Sequence, residues 1–251
     1  MLSDKEKQRY SRQIRLSGFG EEGQKKLKNA GILIVGIGGL GCAVSTYLTL
    51  AGVGRMCLID RGTVELSNLN RQSLYSDQDI GRSKVDSAKD KLTAINPNLQ
   101  IQGIREEIKE ENVWELLEGY NIIVDALDNL VGRYLLNEVV LSRNLPLFHG
   151  AVYGYEGRVT TILPGKTPCL KCIYHGYGAS PPEEIPVIGV VPAIIGCLQS
   201  SEVIKYILGI GQLLAGRLLI YDGLSQEFVE VQTKFDPYCN VCFSVNSSAK
   251  E

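Results

Sequence analysis

The chain lacks an excess of positive charge and lacks an evident membrane segment. Its 251 residues contain 26 Lys and Arg against 28 Asp and Glu, a formal net charge of -2. Without a bulk positive field, binding to nucleic acid or to an anionic membrane is not expected. The amino terminus is polar, and the longest apolar stretches are short and interrupted by glycine, so neither a signal peptide nor a membrane span is predicted. We therefore expect a cytoplasmic protein.

Internal repeats and low-complexity tracts are also lacking. A chain of 251 residues with 44% hydrophobic content is long enough to bury one sizeable core. We predict a single domain, residues 1–251, with a helical arm at 1–30, a nucleotide-binding half at 31–145 and a mixed-sheet half at 146–251.

The hydrophobic pattern predicts a Rossmann-like α/β fold. Residues 31–35 form a continuous apolar run, typical of a strand buried on both faces of a parallel sheet. A glycine turn, a helix at 42–51 and a strand at 55–60 complete a βαβ unit. The sheet is expected to be open and largely parallel, with helices on both faces, and to become antiparallel towards the carboxyl terminus. Further strands are predicted at 101–105, 122–125, 147–151, 158–163, 218–221 and 228–231, and further helices at 85–95, 113–117, 133–143 and 194–207.

Two glycine-rich regions are expected to interrupt regular structure. Gly18, Gly20 and Gly23 should break any single long helix in residues 8–29. Residues 176–186 are rich in Gly, Pro, Ser and Glu and lack an apolar period, so they are predicted to form a mobile loop.

The turn between the first strand and helix has the pattern GxGxxG, formed by Gly36, Gly38, Gly39 and Gly41. Glycines allow the backbone to approach a phosphate, and the following helix amino terminus favours negative charge. Asp60, at the end of the next strand, could accept hydrogen bonds from a ribose. The motif predicts a nucleotide but no reaction, and an NAD or FAD enzyme or a turn without a ligand remains open.

Polar side chains follow three predicted strands, at the edge where open α/β sheets bind ligands. These candidate nucleotide-binding residues are Ser67, Asn68, Asn70, Arg71, Gln72, Lys84, Asp128 and Asn129.

Three of these residues favour cleavage of a triphosphate over simple cofactor binding. An enzyme that releases pyrophosphate needs cations and a metal to stabilise the charge on the leaving group. Arg71 and Lys84 supply cations, and Asp128 is placed to hold magnesium. The alternatives are surface ion pairs for the two cations and a helix N-cap for Asp128.

The cysteines include two Cys-x-x-Cys pairs, Cys169 with Cys172 and Cys239 with Cys242. This spacing is that of the two halves of a tetrahedral four-thiolate zinc site, which would be structural because no ligand position stays open. A redox pair or free buried thiols are the alternatives.

Taken in order, these motifs resemble the ThiF/MoeB/HesA adenylyltransferases, the bacterial relatives of ubiquitin-activating enzymes. The resemblance runs nearly from end to end of the chain. It is carried by residues 9–13, 36–41, 51–54, 67–72, 128–129, 168–169 and 236–242.

The resemblance implies roles for the site residues. Gly39 and its neighbours would contact the phosphates of ATP and Asp60 the ribose. Asn68 and Arg71 would contact the triphosphate, Lys84 the α-phosphate, and Asp128 a magnesium ion, and the family places structural zinc at the paired cysteines. Arg12 would reach into the site of a second protomer, which implies a homodimer; the alternative is a surface arginine on a flexible arm.

The family reaction joins the carboxylate of a carrier protein's terminal glycine to AMP and releases pyrophosphate. We expect Arg12, Arg71, Lys84 and Asp128 to be the catalytic residues. No protein nucleophile is needed, so His149 and His175 are expected to be structural or incidental.

The chain departs from many relatives because residues 181–189 contain no cysteine. Cys42, Cys57 and Cys197 fall in predicted core elements and should be inert. We therefore expect the enzyme to stop at the adenylate and to pass it to a downstream acceptor protein.

The substrate of such an enzyme stays open between two classes. One is a ubiquitin-like sulfur carrier, and the other is a peptide or a small carboxylate, such as an intermediate of the iron-guanylylpyridinol cofactor. Loop 176–186 is where we expect this choice to be made. An NAD or FAD oxidoreductase and a non-catalytic scaffold are the competing classes of function.

Overall fold

A computed structural model describes residues 1–175 and 186–242. The described strands form one eight-stranded sheet of order β3-β2-β1-β4-β5-β6-β7-β8. The strands are β1 (Gly31–Val35), β2 (Arg55–Ile59), β3 (Gln100–Ile104), β4 (Ile122–Asp125), β5 (Leu147–Tyr153), β6 (Glu156–Ile162), β7 (Arg217–Asp222) and β8 (Glu227–Gln232). The helices are α1 (Asp4–Arg9), α2 (Ser11–Ile14), α3 (Gly20–Asn29), α4 (Gly39–Ala51), α5 (Lys84–Ile95), α6 (Val113–Leu116), α7 (Leu130–Ser142), α8 (Leu170–Ile173) and α9 (Val190–Leu208).

The sheet changes direction at β5, as the pattern predicts. Strands β3, β2, β1, β4 and β5 are parallel to one another. Strands β5, β6, β7 and β8 pair antiparallel. The parallel strands of residues 31–125 pair with β5. One continuous sheet therefore spans both predicted halves of the chain, whose boundary was placed at position 145.

Alternate residues of the buried strands enter two separate cores, one on each face of the sheet. Ile32 and Ile34 of β1 pack in the first core, and Leu33 and Val35 pack in the second. Helices α3, α4, α5 and α9 cover the first core, and α6, α7 and α8 cover the second. Because side chains alternate across a strand, a continuous apolar run is what a strand with two covered faces requires.

Helix α9 is the central element of the first core. It packs against α4 and against strands β5 and β6, and Val191, Ile195 and Val203 are buried. Its 19 residues are long and apolar enough to cross a membrane by length and composition, so this apolar stretch is longer than expected from the sequence, although Gly196 interrupts it. In this fold the apolar surface of α9 instead meets other helices and the sheet.

Three local features differ from the pattern-based assignment. Gly23 does not end a helix, since it lies buried inside α3. Helix α4 begins at Gly39 rather than at residue 42, so part of the glycine turn is already helical. The short helix α8, which follows Cys169, was not predicted. The predicted loop 176–186 lies outside the described residues except for Pro186.

A buried carboxylate, Asp79, orders the turn that leads to Lys84. Its Oδ2 accepts hydrogen bonds from the backbone N–H and the hydroxyl of Ser76 at 2.9 and 2.8 Å, and Lys91 Nζ lies 3.1 Å from the same atom. Burial opposes ionisation, but these partners outweigh it and lower the pKa of Asp79 to about 2. The ionised carboxylate therefore fixes the approach to α5.

We expect Asp79→Asn to destabilise the protein at neutral pH by about 1–3 kcal/mol, the cost of disrupting a buried charged hydrogen-bond network. A lowered folded-state pKa stabilises the native state above the ordinary pKa near 4, and this contribution is lost as pH falls towards about 2. The difference in unfolding free energy between wild type and variant should thus shrink between pH 4 and pH 2 in denaturant titrations. Asp77→Asn, at an exposed position of the same turn, is the matched control. A difference in unfolding free energy that stays constant down to pH 2 would contradict the lowered pKa assigned to Asp79.

Candidate active site

The glycine turn after β1 requires glycine at its first position. Gly36 has φ 92°, in the left-handed region, and a Cβ there would lie 2.6 Å from the carbonyl oxygen of Ala126. The turn is therefore packed directly on the segment that follows β4. No other residue type allows this approach without moving one of the two segments.

Two consecutive peptides of the turn are held through the backbone groups of Ile37. The N–H of Ile37 donates to Asp60 Oδ2 at 2.7 Å, and the Tyr75 hydroxyl donates to the Ile37 carbonyl at 3.0 Å. Asp60 Oδ1 also accepts from the Gly62 N–H at 2.7 Å. A carboxylate offers about four acceptor sites, so Asp60 can still accept a hydroxyl of a bound ribose. Burial raises the pKa of Tyr75, which keeps its hydroxyl protonated as a donor.

Space above the turn is open at Gly38. Among the described residues beyond its two chain neighbours, a Cβ at this position would have only one atom within 4 Å, the Gln72 side-chain nitrogen at 3.9 Å. Gly38 also precedes the first turn of α4 and offers no side chain to cap it. Gln72 is buried, and its Oε1 has no hydrogen-bond partner among the described residues. A helix amino terminus without a cap, beside an unpartnered buried amide oxygen, fits a phosphate-bearing ligand that also carries hydrogen-bond donors.

The polar segment 67–72 lies against the turn. The Arg71 carbonyl oxygen is 3.5 Å from the Cβ position of Gly39. The Arg71 guanidinium donates to the Ser67 carbonyl at 2.8 Å and to Asn70 Oδ1 at 2.9 Å, so it folds back on its own segment. Asn68 is buried, and its Oδ1 accepts from the Glu65 N–H at 3.2 Å.

Lys84 is the first residue of α5 and lies beside the end of β2. Its Cδ and Cε are 3.4 Å from the Cβ position of Gly62, which is itself 3.0 Å from Asp60 Oδ1. Within residues 1–175 and 186–242, neither Lys84 nor Arg71 has a carboxylate oxygen within 4.0 Å. Reading either cation as a structural ion-pair residue is therefore wrong for the described part of the chain.

Asp128 follows β4 at the same sheet edge and is exposed. It does not cap a helix, because Asn129 is the N-cap of α7 and accepts from the Gly132 N–H at 2.8 Å. The nearest described partner of the Asp128 carboxylate is the Asn129 amide at 3.5 Å. Its oxygens are therefore available for a cation.

Arg12 lies on α2, far along the chain from the other site residues, and is exposed. The helix is anchored by its neighbour Gln13, which donates to the Ala51 carbonyl at 2.7 Å. This geometry leaves the proposed role of Arg12 as a prediction.

The two Cys-x-x-Cys pairs come together on the second face of the sheet. All four sulfur atoms are buried and lie within 4.8 Å of one another. Cys169 Sγ is 3.9 Å from Cys172 Sγ and 3.7 Å from Cys239 Sγ, and Cys172 Sγ is 3.5 Å from Cys242 Sγ. Sulfurs bound to tetrahedral zinc at about 2.3 Å are about 3.8 Å apart, so this donor set fits that ion.

The remaining cysteines are poor nucleophiles. Burial raises the pKa of Cys42 to about 12 and that of Cys57 to about 11. Cys197 is only partly buried, contrary to the expectation of a core position, but burial raises its pKa as well. The thiolate is the reactive form, so all three are disfavoured as acceptors of an acyl group at neutral pH.

Strand β1 lies between β2 and β4, so their carboxyl ends adjoin. The glycine turn, Asp60, Lys84 and the 125–129 segment thus meet at the point where the strand order reverses, the usual ligand site of open α/β sheets. Sequence reasoning missed Tyr75, whose role depends on a hydrogen bond across 38 positions. It also missed Gly189, which precedes α9. The fold is of the doubly wound α/β class, and the site fits a phosphate-bearing nucleotide.

Comparison with known proteins gives the family. The profile of the ThiF family matches residues 10–241, and the chain belongs to this family. It is 40% identical over 244 residues to the molybdopterin-synthase adenylyltransferase of Salmonella typhimurium, covering 96% of this chain and 98% of that protein. It is 40% identical over 245 residues to the sulfur carrier protein adenylyltransferase of Thermus thermophilus, covering 93% and 90%.

A solved structure has the same fold. The crystal structure of E. coli MccB with MccA-N7isoASN matches with a TM-score of 0.85 and 25% identity, covering 96% of this chain and 75% of that one. Together with the relatives above, this likeness makes the chain an adenylyltransferase, an enzyme that activates a carboxylate with ATP.

Gly189, which precedes α9, allows a test of whether the start of this helix must pack closely against segment 67–72. A Cβ at this position would lie 2.3 Å from the Asn70 carbonyl oxygen and 3.3 Å from Arg71 Cβ. Gly189→Ala should therefore displace segment 67–72 and weaken ATP binding at least about tenfold, a loss of about 1.4 kcal/mol. Isothermal titration with ATP would measure it. The neighbouring exposed variant Ile188→Ala should bind as wild type, and equal affinity of Gly189→Ala and wild type would show that the contact is dispensable.

Proposed function

We propose that the enzyme adenylates the carboxyl-terminal glycine of a ubiquitin-like sulfur carrier protein. The observation that carries the proposal is a set of charges at one sheet edge, Arg71, Lys84 and Asp128, that have no oppositely charged partner in residues 1–175 and 186–242 and that lie near an uncapped helix amino terminus. Relatives at about 40% identity are named for a sulfur carrier protein and for molybdopterin synthase, which supports the choice of substrate.

The reaction needs positioning and charge stabilisation rather than a protein nucleophile. A carboxylate oxygen forms a bond to the α-phosphorus of ATP, and the bond from that phosphorus to the bridging oxygen of pyrophosphate breaks. The amino terminus of α4 and the glycine turn hold the phosphates, and Asp60 holds the ribose. Lys84 stabilises charge at the α-phosphate, and Arg71 stabilises it on the triphosphate once ATP displaces its contacts with segment 67–72.

Asp128 is the residue we assign to a magnesium ion. Its exposed carboxylate has the hard oxygen ligands that magnesium prefers, with waters and substrate phosphates completing the shell. The ion would supply neutralisation of phosphate charge. Asn68, Asn70, Gln72 and the Asn129 amide are the remaining polar groups that we place around the nucleotide.

We further propose a cytoplasmic homodimer in which Arg12 of one protomer completes the site of the other. The exposed guanidinium of Arg12 has no hydrogen bond to the described residues of its own chain, which leaves it available to a second copy. Because the cysteines outside the clustered four have raised pKa values, the activated carrier would pass directly to a separate acceptor protein.

Pyrophosphate exchange into ATP tests the assignment. Exchange should require the matching carrier, and Arg71→Ala, Lys84→Ala and Asp128→Ala should each lower its rate on the order of a hundredfold, the usual loss for a preorganised charge-stabilising group. Lys89→Ala, an exposed lysine on the same helix as Lys84, is the matched control and should keep the wild-type rate. Undiminished exchange in all three variants would refute the proposal.

The four clustered cysteines are proposed to hold one structural zinc ion. All four ligand positions are thiols, so no position stays open for a substrate. The ion would join residues 169–172 to residues 239–242, which are 70 positions apart.

Cys169→Ser should remove the zinc and lower thermal stability, while each molecule that stays folded keeps its exchange rate. If free zinc is about a thousandfold above its dissociation constant, the lost stabilisation is about 4 kcal/mol. Native mass spectrometry would measure the metal content and calorimetry the melting temperature. Cys197→Ser lies outside the cluster and should retain one zinc per chain. Zinc-free wild type with an unchanged melting temperature would contradict a structural role.

A small or peptide carboxylate is the second candidate substrate, and the likeness to MccB bound to MccA-N7isoASN favours keeping it. Exchange assays with carrier tails and with small acids separate the two. The prediction that residues 176–186 decide between them lies outside the described residues except for Pro186.

A further inference from the structure

The buried side chains of Asp125, His149 and Tyr174 form a hydrogen-bonded triad next to the site. His149 lies on β5, is fully buried, and pairs in register with Asp125 of β4. Its Nδ1 is 2.6 Å from Asp125 Oδ2, and its Nε2 is 2.8 Å from the Tyr174 hydroxyl. The adenylylation mechanism described above uses none of these three groups.

At one end of this triad, Asp125 contacts the turn that carries Asp128. Asp125 Oδ1 accepts from the Leu127 N–H at 3.0 Å. The Arg133 guanidinium donates to the Leu127 carbonyl, and its Nε is 3.8 Å from Asp125 Oδ2. The Asp125 carboxylate therefore holds the peptide between Ala126 and Leu127, Arg133 holds the next peptide through the Leu127 carbonyl, and Asp128 follows directly.

The hydrogen-bond partners define the form of the imidazole. Burial lowers the pKa of His149, against the opposing effect of Asp125, so the ring is neutral at neutral pH. The cation beside the Asp125 carboxylate is the Arg133 guanidinium, whose Nε is 3.8 Å from Oδ2. A neutral ring that faces a carboxylate donates from Nδ1, which leaves Nε2 to accept from the Tyr174 hydroxyl.

We propose that His149 is a positioning residue for the magnesium-binding carboxylate. Through its Nδ1 bond it fixes Asp125, and Asp125 fixes the 126–128 turn that presents Asp128. The inference rests on the proposed function for the identity of the ion, but the link from His149 to the turn is a property of the folded chain itself.

Two substitutions of His149 distinguish its hydrogen bond with Asp125 from its hydrogen bond with Tyr174. In His149→Asn, the side-chain nitrogen takes the place of Nδ1 and keeps the donor to Asp125. In His149→Gln, the nitrogen takes the place of Nε2, and the donor to Asp125 is lost. Tyr174→Phe removes only the hydroxyl at the other end.

The first measurement is hydrogen exchange of peptides covering residues 126–129 in the ligand-free protein. We expect at least tenfold faster exchange of this segment in His149→Gln, and exchange within about twofold of wild type in His149→Asn and Tyr174→Phe. Hydrogen exchange does not depend on enzymatic activity. It therefore tests the positioning role of His149 even if no carboxylate supports pyrophosphate exchange.

The second measurement is the magnesium dependence of pyrophosphate exchange. Loss of a residue that orients a metal ligand costs about 10–100-fold in metal affinity, so His149→Gln should need that much more magnesium for half-maximal rate and recover at saturation. Where His149→Gln does not fold, Asp125→Asn replaces it with the same expectation. The proposal is overturned if His149→Asn behaves as His149→Gln, or if both lower the melting temperature while exchange of 126–129 and the magnesium requirement stay at wild-type values.

Discussion

The hydrogen bond from the Ile37 N–H to the Asp60 carboxylate is the contact on which the site depends. It joins the end of β1 to the end of β2 at 2.7 Å, and the Tyr75 hydroxyl holds the next peptide through the Ile37 carbonyl. With these two peptides held, the amino terminus of α4 faces the edge where β1, β2 and β4 end. The backbone of the turn is thus held before a ligand arrives, which lowers the entropy cost of binding, whereas the Arg71 side chain has to leave its contacts with segment 67–72.

The distribution of charge separates structural from functional groups. Buried carboxylates such as Asp79, Asp125 and Glu202 are each met by cations or hydrogen-bond donors. Arg71, Lys84 and Asp128, in contrast, lie at the open edge without a partner of opposite charge among the described residues. An exposed ion pair is worth only about 0–1 kcal/mol, so leaving these groups unpaired costs the fold little. In the roles proposed for them, Arg71 and Lys84 would gain much more when the phosphates of a nucleotide exclude water around them, and Asp128 would gain through a bound cation.

Local pattern was sufficient for the centre of the fold and for the clustering of the four paired cysteines. Strands β1 and β4 have the predicted bounds, because a short apolar run between turns leaves little choice. The spacing of the cysteines predicted a cluster whose geometry depends on segments 70 residues apart. What could not be predicted depends on tertiary contacts. The hydroxyl of Tyr75 finds Ile37 only after folding, the approach of Gly189 to Asn70 needs α9 in place, and the choice of Asn129 over Asp128 as N-cap depends on one backbone conformation. Helix α4 starts early because glycines that would destabilise an isolated helix are stabilised by packing.

The position of α9 has a consequence for how the chain acquires its structure. This helix, residues 190–208, covers α4, residues 39–51, and the first core cannot close without it. During synthesis the parallel part of the sheet would leave the ribosome with one apolar face uncovered, until the last quarter of the chain follows. Contacts that span so much sequence make folding slow and make partly made chains prone to aggregation. The candidate nucleotide site, which packs against the start of α9, would accordingly be among the last parts of the molecule to form.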